Sequence, residues 1–153
     1  MPTLTLDQLI QYVDEIPPLP NVAVRVMQLT EDPGASARSV ADAISADMAM
    51  TTRVLKIANS AYYGMARRVG TVNEAVVLLG MQSVRGLAVA AASYDTLRQE
   101  MPGYSLPAGE LWRHSIACAI ASQIVAKRSG KARPEEAFVA GLLPDVGKVI
   151  LNV

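Results

Sequence analysis

The sequence predicts an all-α fold, a multi-helix bundle with no sheet, and three observations carry that prediction. Apolar residues recur at three- and four-residue spacing along nearly the whole chain, the period of a helix with one face turned inward. Of the 153 residues 51% are hydrophobic but only 5% aromatic. Small and aliphatic side chains therefore build the core, whereas a β-sandwich would be richer in aromatics. No two alternating segments flank a hairpin turn, and neither an internal repeat nor a low-complexity tract is present. The length suits one domain with a real core.

Leu6, Leu9, Ile10 and Val13 share a helical face, and the proline run "IPPLP" at 16–20 ends that first helix. "PPLP" reads as a rigid turn, or as a ligand for a proline-reading domain. A second helix, Val22 to Glu31, closes in the turn "EDPG". Ser36 or Ser39 caps a third, with Val40, Ala43 and Ile44 inward, and Asp47 caps a fourth carrying Met50, Val54, Leu55 and Ile57. Val72 to Leu79 is a short apolar helix ended by Gly80. Met81 to Met101 is long, and its small-residue segment "GLAVAAAS" admits a close neighbour. After the loop "PGYSLPAG", Glu110 to Arg128 forms another long helix ended near Gly130. Pro134 suits the first position of the next helix, where its missing N–H costs nothing. Pro144 removes a helical donor and disfavours helical backbone at Leu143, so that helix kinks or ends near 143 and "DVGKVIL" restarts separately.

Charge excludes some function classes. Fourteen cations balance fourteen anions, so no nucleic-acid or membrane partner is expected. Cys118 is the only cysteine, which rules out an intramolecular disulfide. The start "MPTLTLDQLI" lacks the pattern of a signal peptide. The longest uncharged run, His114 to Ala126, spans 13 residues, short of the roughly 18 a membrane helix needs. A soluble cytoplasmic protein is expected. The balance is uneven along the chain: residues 51–85 hold Arg53, Lys56, Arg67, Arg68 and Arg85 against Glu74 alone. These bases either neutralise acids elsewhere in the fold or form a basic surface for an acidic partner or a phosphate.

Five segments in order, "IPPLPNVAVRVMQL", "ANSAYYG", "AVVLLGMQSVRGLAVA", "LWRHSIACAIAS" and "PEEAFVAGLLPDVGKVIL", resemble the HDOD family, the HD-related output domain of bacterial signalling proteins. The resemblance runs from about Ile16 to the end. It implies a helical fold related to HD phosphohydrolases, without their catalytic residues, in a regulatory and non-enzymatic module. On it, residues 1–153 form a single HDOD domain truncated at its C-terminal end, because relatives continue with further helices.

An HD site holds a divalent metal with spaced histidines and aspartates, which lower the pKa of its bound water. His114, the only histidine, matches the first histidine of that pattern, Pro144 stands where the histidine of the HD pair belongs, and Asp145 remains. One imidazole and one carboxylate make a poor metal site, so no catalytic residue, metal or cofactor is expected. His114 and Cys118 lie on one helix face as half of a zinc site would, but further ligands are missing. Ser115 adjoins His114 and points elsewhere. "GLLPDVGKV" fails as a phosphate loop, since Val149 occupies the position of the metal-binding Ser or Thr.

What remains is an interaction surface at Asn59, Tyr62, Tyr63, Gly64, Arg67 and Arg68. Its plainer reading is structural: Asn59 bonding backbone at a helix end, Gly64 allowing a turn, the tyrosines closing a gap between helices. The methionines and Trp112 read as core. The favoured function is a signal-transduction module acting on a protein partner; the alternatives are a sensor for a nucleotide or other anion, and a residual metal-dependent phosphohydrolase. The ending "GKVILNV" exposes Val149, Ile150, Leu151 and Val153, which suggests self-association there unless the segment folds back into its own bundle.

Overall fold

Helix boundaries follow local chemistry. Pro20 has extended backbone, and its carbonyl accepts from the amides of Ala23 and Val24, starting α1 (Asn21–Glu31) without a side-chain cap. Ser36, rather than Ser39, caps α2 (Ala37–Ser45): its hydroxyl accepts from Ser39 N–H at 3.1 Å. Asp47 caps α3 (Met48–Ala58), accepting from Met50 N–H at 2.8 Å. Thr71 caps α4 (Val72–Leu79), and Glu74 reaches back to accept from Gly70 N–H at 2.9 Å. Gly80, at φ +84°, turns the chain directly into α5 (Met81–Leu97). Then follow α6 (Glu110–Ser129), α7 (Pro134–Leu142) and the single turn α8 (Gly147–Ile150).

These elements come from a computed structural model that describes residues 18–152. The expected first helix, with Leu6, Leu9, Ile10 and Val13, lies outside the described residues, as does Val153. Among the described residues the fold is all-helical, with no strand beyond one isolated antiparallel bridge. No helix there is long and apolar enough to cross a membrane.

α5 is the centre of the bundle. It packs against α1, α2, α3, α4, α6 and α7. Its buried residues run Val84, Gly86, Leu87, Ala88, Val89, Ala90, Ala91, Ser93 and Leu97, nearly all round the helix, as an element enclosed on every side must. Val26, Val40, Ile44, Val54, Val72 and Leu87 form the larger core on one side. On the other, Val89, Ala90, Ala119, Phe138 and Leu142 join α5 to the α6–α7 hairpin, with Trp112 packed at its margin. Met50 and Met101 are buried, filling gaps as expected, whereas Met48 is 85% exposed.

Two expectations need adjustment. The helix starting at Met81 stops at Leu97, not Met101: Pro102 has no N–H for the Arg98 carbonyl, its ring would clash with that carbonyl, and it disfavours helical backbone at Met101. Met101 instead exchanges both backbone hydrogen bonds with Leu106, at 2.9 and 3.1 Å, around the short 3₁₀ turn Pro102–Tyr104. It still buries its side chain beside Leu97 and Leu111, which is why it obeyed the helical period. The second concerns the last turn. Val149 packs against that same small cluster, Val149 and Ile150 are half-buried, and Asn152 ties down to Gly103 N–H and Glu100 C=O, both at 3.1 Å. Of the apolar run expected to be exposed, Leu151 is the exposed member among the described residues.

Candidate functional site

The HD-like positions converge in space. α6 carries His114 and Cys118 one turn apart, and α7 ends at Leu142, just before Pro144 as the proline rule requires. The following turn swings Asp145 under α6, where its Oδ2 lies 3.0 Å from His114 Nε2. Cys118 Sγ is 3.4 Å from the same nitrogen. Lys148 Nζ is 2.9 Å from Asp145 Oδ2. Lys148 had not been singled out, although its spacing of three from Asp145 in a turn was a usable signal.

This donor set does not fit a divalent metal. Pro144 offers no side-chain donor. Nε2 of His114 is engaged with Asp145, and an ammonium group already sits on that carboxylate, so a cation there would meet like charge. Among the described residues no group of three or more His, Cys, Asp or Glu side chains is placed to hold a metal ion. Ser115 points into the core while His114 faces solvent, so the two do not form a nucleophile–base pair.

The second predicted region, residues 59–70, is a loop folded back along α3. Asn59 ends α3 and clamps the loop: its Nδ2 donates to Leu55 O at 2.8 Å and Val69 O at 2.9 Å, and its Oδ1 accepts from Val69 N–H at 2.8 Å. Both of its N–H donors and one of the two acceptor sites on its oxygen are thereby spent on backbone. Gly64 has φ +56°, left-handed backbone that suits glycine. The Tyr62 and Tyr63 rings meet edge-to-face at 4.8 Å. Tyr62 donates its hydroxyl to Gln123 Oε1 at 2.8 Å, joining the loop to α6. Burial raises the pKa of both phenols. Glu135 adds to the rise at Tyr62, and at Tyr63 the neighbouring Tyr62 and then Glu135 do so.

The basic residues divide into two groups. Arg53 grips both oxygens of Asp95 at 2.8 and 3.0 Å and stacks 4.8 Å above the Tyr94 ring. Arg85 pairs with Glu31 at 2.7 Å and Arg67 with Glu74 at 2.5 Å. Among the described residues Lys56 and Arg68 have no ion-pair partner. Both line a cavity of about 850 Å³ between α3 and the loop, together with Thr51, Asn59, Ser60 and Arg67. Sequence reasoning named Arg67 and Arg68 as its cationic residues. The structure moves the weight to Lys56 and Arg68, since Glu74 neutralises Arg67.

A helical bundle around one central helix, with His114 and Asp145 brought together beside Pro144, defines the class of fold. Residues 16–153 match the HDOD domain model, and the chain belongs to the HDOD domain family. It is similar to an HDOD domain protein of unknown function from Geobacter sulfurreducens: TM-score 0.76, 30% identity, 96% of this chain and 51% of that one. A candidate phosphohydrolase of Shewanella amazonensis SB2B gives 0.73 at 35% identity, covering 94% and 49%. A candidate signal transduction protein of Marinobacter aquaeolei VT8 gives 0.57 at 27%, covering 99% and 34%. An uncharacterized protein of Treponema pallidum (strain Nichols) is 27% identical over 141 residues, 92% of this chain and 27% of its own length. The chain thus spans about half the length, or less, of these relatives. Family and relatives together fit a role in signalling.

Proposed function

We propose that this domain is a non-catalytic regulatory module of a cytoplasmic signalling pathway and works by contact with a protein partner. The observation that carries the reading is the HD-like site itself: proline at a ligand position, and Lys148 bound to the remaining aspartate. Such a site binds no metal and activates no water, so the fold serves recognition instead. Exposed Val77 and Leu78 on α4 and Val125 on α6 supply apolar contact points, and the loop at 59–70 supplies the polar and cationic ones. The same surfaces are available to a second copy of the chain.

Metal analysis of the purified chain together with assays on phosphomonoesters and phosphodiesters tests the first half. Substoichiometric metal and no turnover are the expected result; turnover abolished by His114→Ala would overturn it. Reversal of Arg67 and Arg68 to glutamate tests the second half, and should weaken partner capture while the helical spectrum stays unchanged. A second reading, a sensor for a nucleotide or other anion, is favoured by the cavity at Lys56 and Arg68.

A further inference from the structure

Two cavities lie on either side of α3 and share one edge. Thr52, Lys56 and Ser60, spaced by four, run along a single line of α3 and the residues just past it, and all three line both cavities. On one side is the cationic cavity of about 850 Å³ with Arg68. On the other is a cleft of about 530 Å³ walled by Tyr63, Tyr94, Trp112, Ile116 and Phe138. Each lies within the roughly 300–1,000 Å³ of small-molecule sites. Trp112 meets Tyr94 edge-on, ring centroids 5.1 Å apart at 84°, which makes a rigid aromatic wall.

The charges across this ridge are not equivalent. Arg53, at the mouth of the cleft, is held by Asp95, and Arg67 is held by Glu74. Lys56 stands on the shared ridge, and Arg68 faces it across the loop cavity; among the described residues neither has an anionic partner. Among those residues the Ser60 hydroxyl also makes no side-chain hydrogen bond. An apolar aromatic slot beside two free cations calls for a ligand with both features in one molecule. A bare anion leaves the slot empty, and a neutral ring leaves the cations unanswered.

We infer that the ridge is the binding site of a small phosphate-bearing ligand with a planar ring, a nucleotide by chemistry. The ring enters the cleft against Trp112, and the phosphate crosses to Lys56 and Arg68, where charge-assisted hydrogen bonds hold it. This deepens and rests on the sensor reading; because Arg68 belongs to both surfaces, the readout separates the two, with capture of a protein in the Arg67 and Arg68 reversals and Trp112 emission here.

Trp112 is the only tryptophan, so its fluorescence reports directly on the cleft. The test is titration with adenosine, guanosine, cytidine and uridine monophosphates, with the parent nucleosides and inorganic phosphate as single-feature controls. The expected result is a saturable change in Trp112 emission with at least one nucleotide. Its nucleoside, and the Lys56→Gln/Arg68→Gln double variant, should bind about tenfold more weakly, and phosphate should leave the emission unchanged. Both substituted positions are exposed, and an unchanged helical spectrum certifies the variant. No saturation by any of these nucleotides below about 1 mM, equal binding of nucleoside and nucleotide, or affinity indifferent to the double substitution would each overturn the proposal.

Discussion

Asn59 does more for this fold than its exposure suggests. One amide closes the end of α3 and fixes Val69, a residue only 1% exposed, through both of its backbone groups. Replacing it with alanine leaves the Val69 N–H and C=O buried and unpaired, a loss of about 2–3 kcal/mol. Urea unfolding of Asn59→Ala should show a lower midpoint with an unchanged slope, and Asn59→Asp should restore only the acceptor half. Tyr63 gives the domain an alkaline sensitivity. Its phenol is buried, so the folded state holds its proton beyond the pH of about 10 at which the unfolded chain releases it. Between those two values the folded state binds more protons, so stability is fully present below pH about 10 and falls as pH rises above it. Tyr63→Phe keeps the ring and removes the titration. Its stability should decline less between pH 9 and 11, roughly, than that of the parent, when both are followed by denaturant unfolding at fixed salt.

At the scale of elements, glycine decides how closely helices approach. A Cβ on Gly141 of α7 would lie 2.8 Å from the Cys118 carbonyl and from Ser122 Cβ on α6, and backbone cannot swing aside. On α5, a Cβ on Gly86 would meet only the Phe138 ring edge at 3.1 Å, which can rotate by a few degrees. Alanine gains about 1 kcal/mol of helix propensity at either position. Overpacking costs roughly 1–3 kcal/mol and should be greatest where nothing yields. Gly141→Ala should therefore lower thermal stability measurably and part α6 from α7, while Gly86→Ala should be near neutral. Equal effects of the two would contradict this account of the α6–α7 contact.

At the scale of the whole molecule, the last turn closes a seam between α5, the 101–106 turn and α6. Val149 fills the seam and Asn152 ties it to residues 100 and 103. A charge at Val149 expels the turn and uncovers Leu97, Met101 and Leu111. Val149→Asp should raise the association state seen by light scattering, whereas Leu151→Ser, at an already exposed position, should leave it unchanged.

The parts legible in the sequence share one property: their physics is confined to a few neighbouring residues. Ser36 and Asp47 as caps, Gly80 and Gly130 as stops, Pro134 as a start and Pro144 as a break all depend on dihedral angles and bonds within one helical turn. That Pro144 offers no side-chain donor was legible for the same reason, because a side chain's donor atoms are a property of its identity. The parts that were not legible depend on partners far away in the chain. Arg53–Asp95 and Arg85–Glu31 close only once α5 has packed against α3 and α1, and the link from Tyr62 to Gln123 spans 61 positions. Met101 kept the helical period yet left the helix, since burial beside Leu111 satisfies the same apolar preference in another geometry. The sequence by itself determined an all-helical HDOD scaffold with a proline at position 144, through periodicity and residue type. The tertiary structure alone decided which cations lack an ion-pair partner among the described residues, because ion pairing follows proximity, and that choice moved the candidate site from Arg67 to the ridge of Lys56.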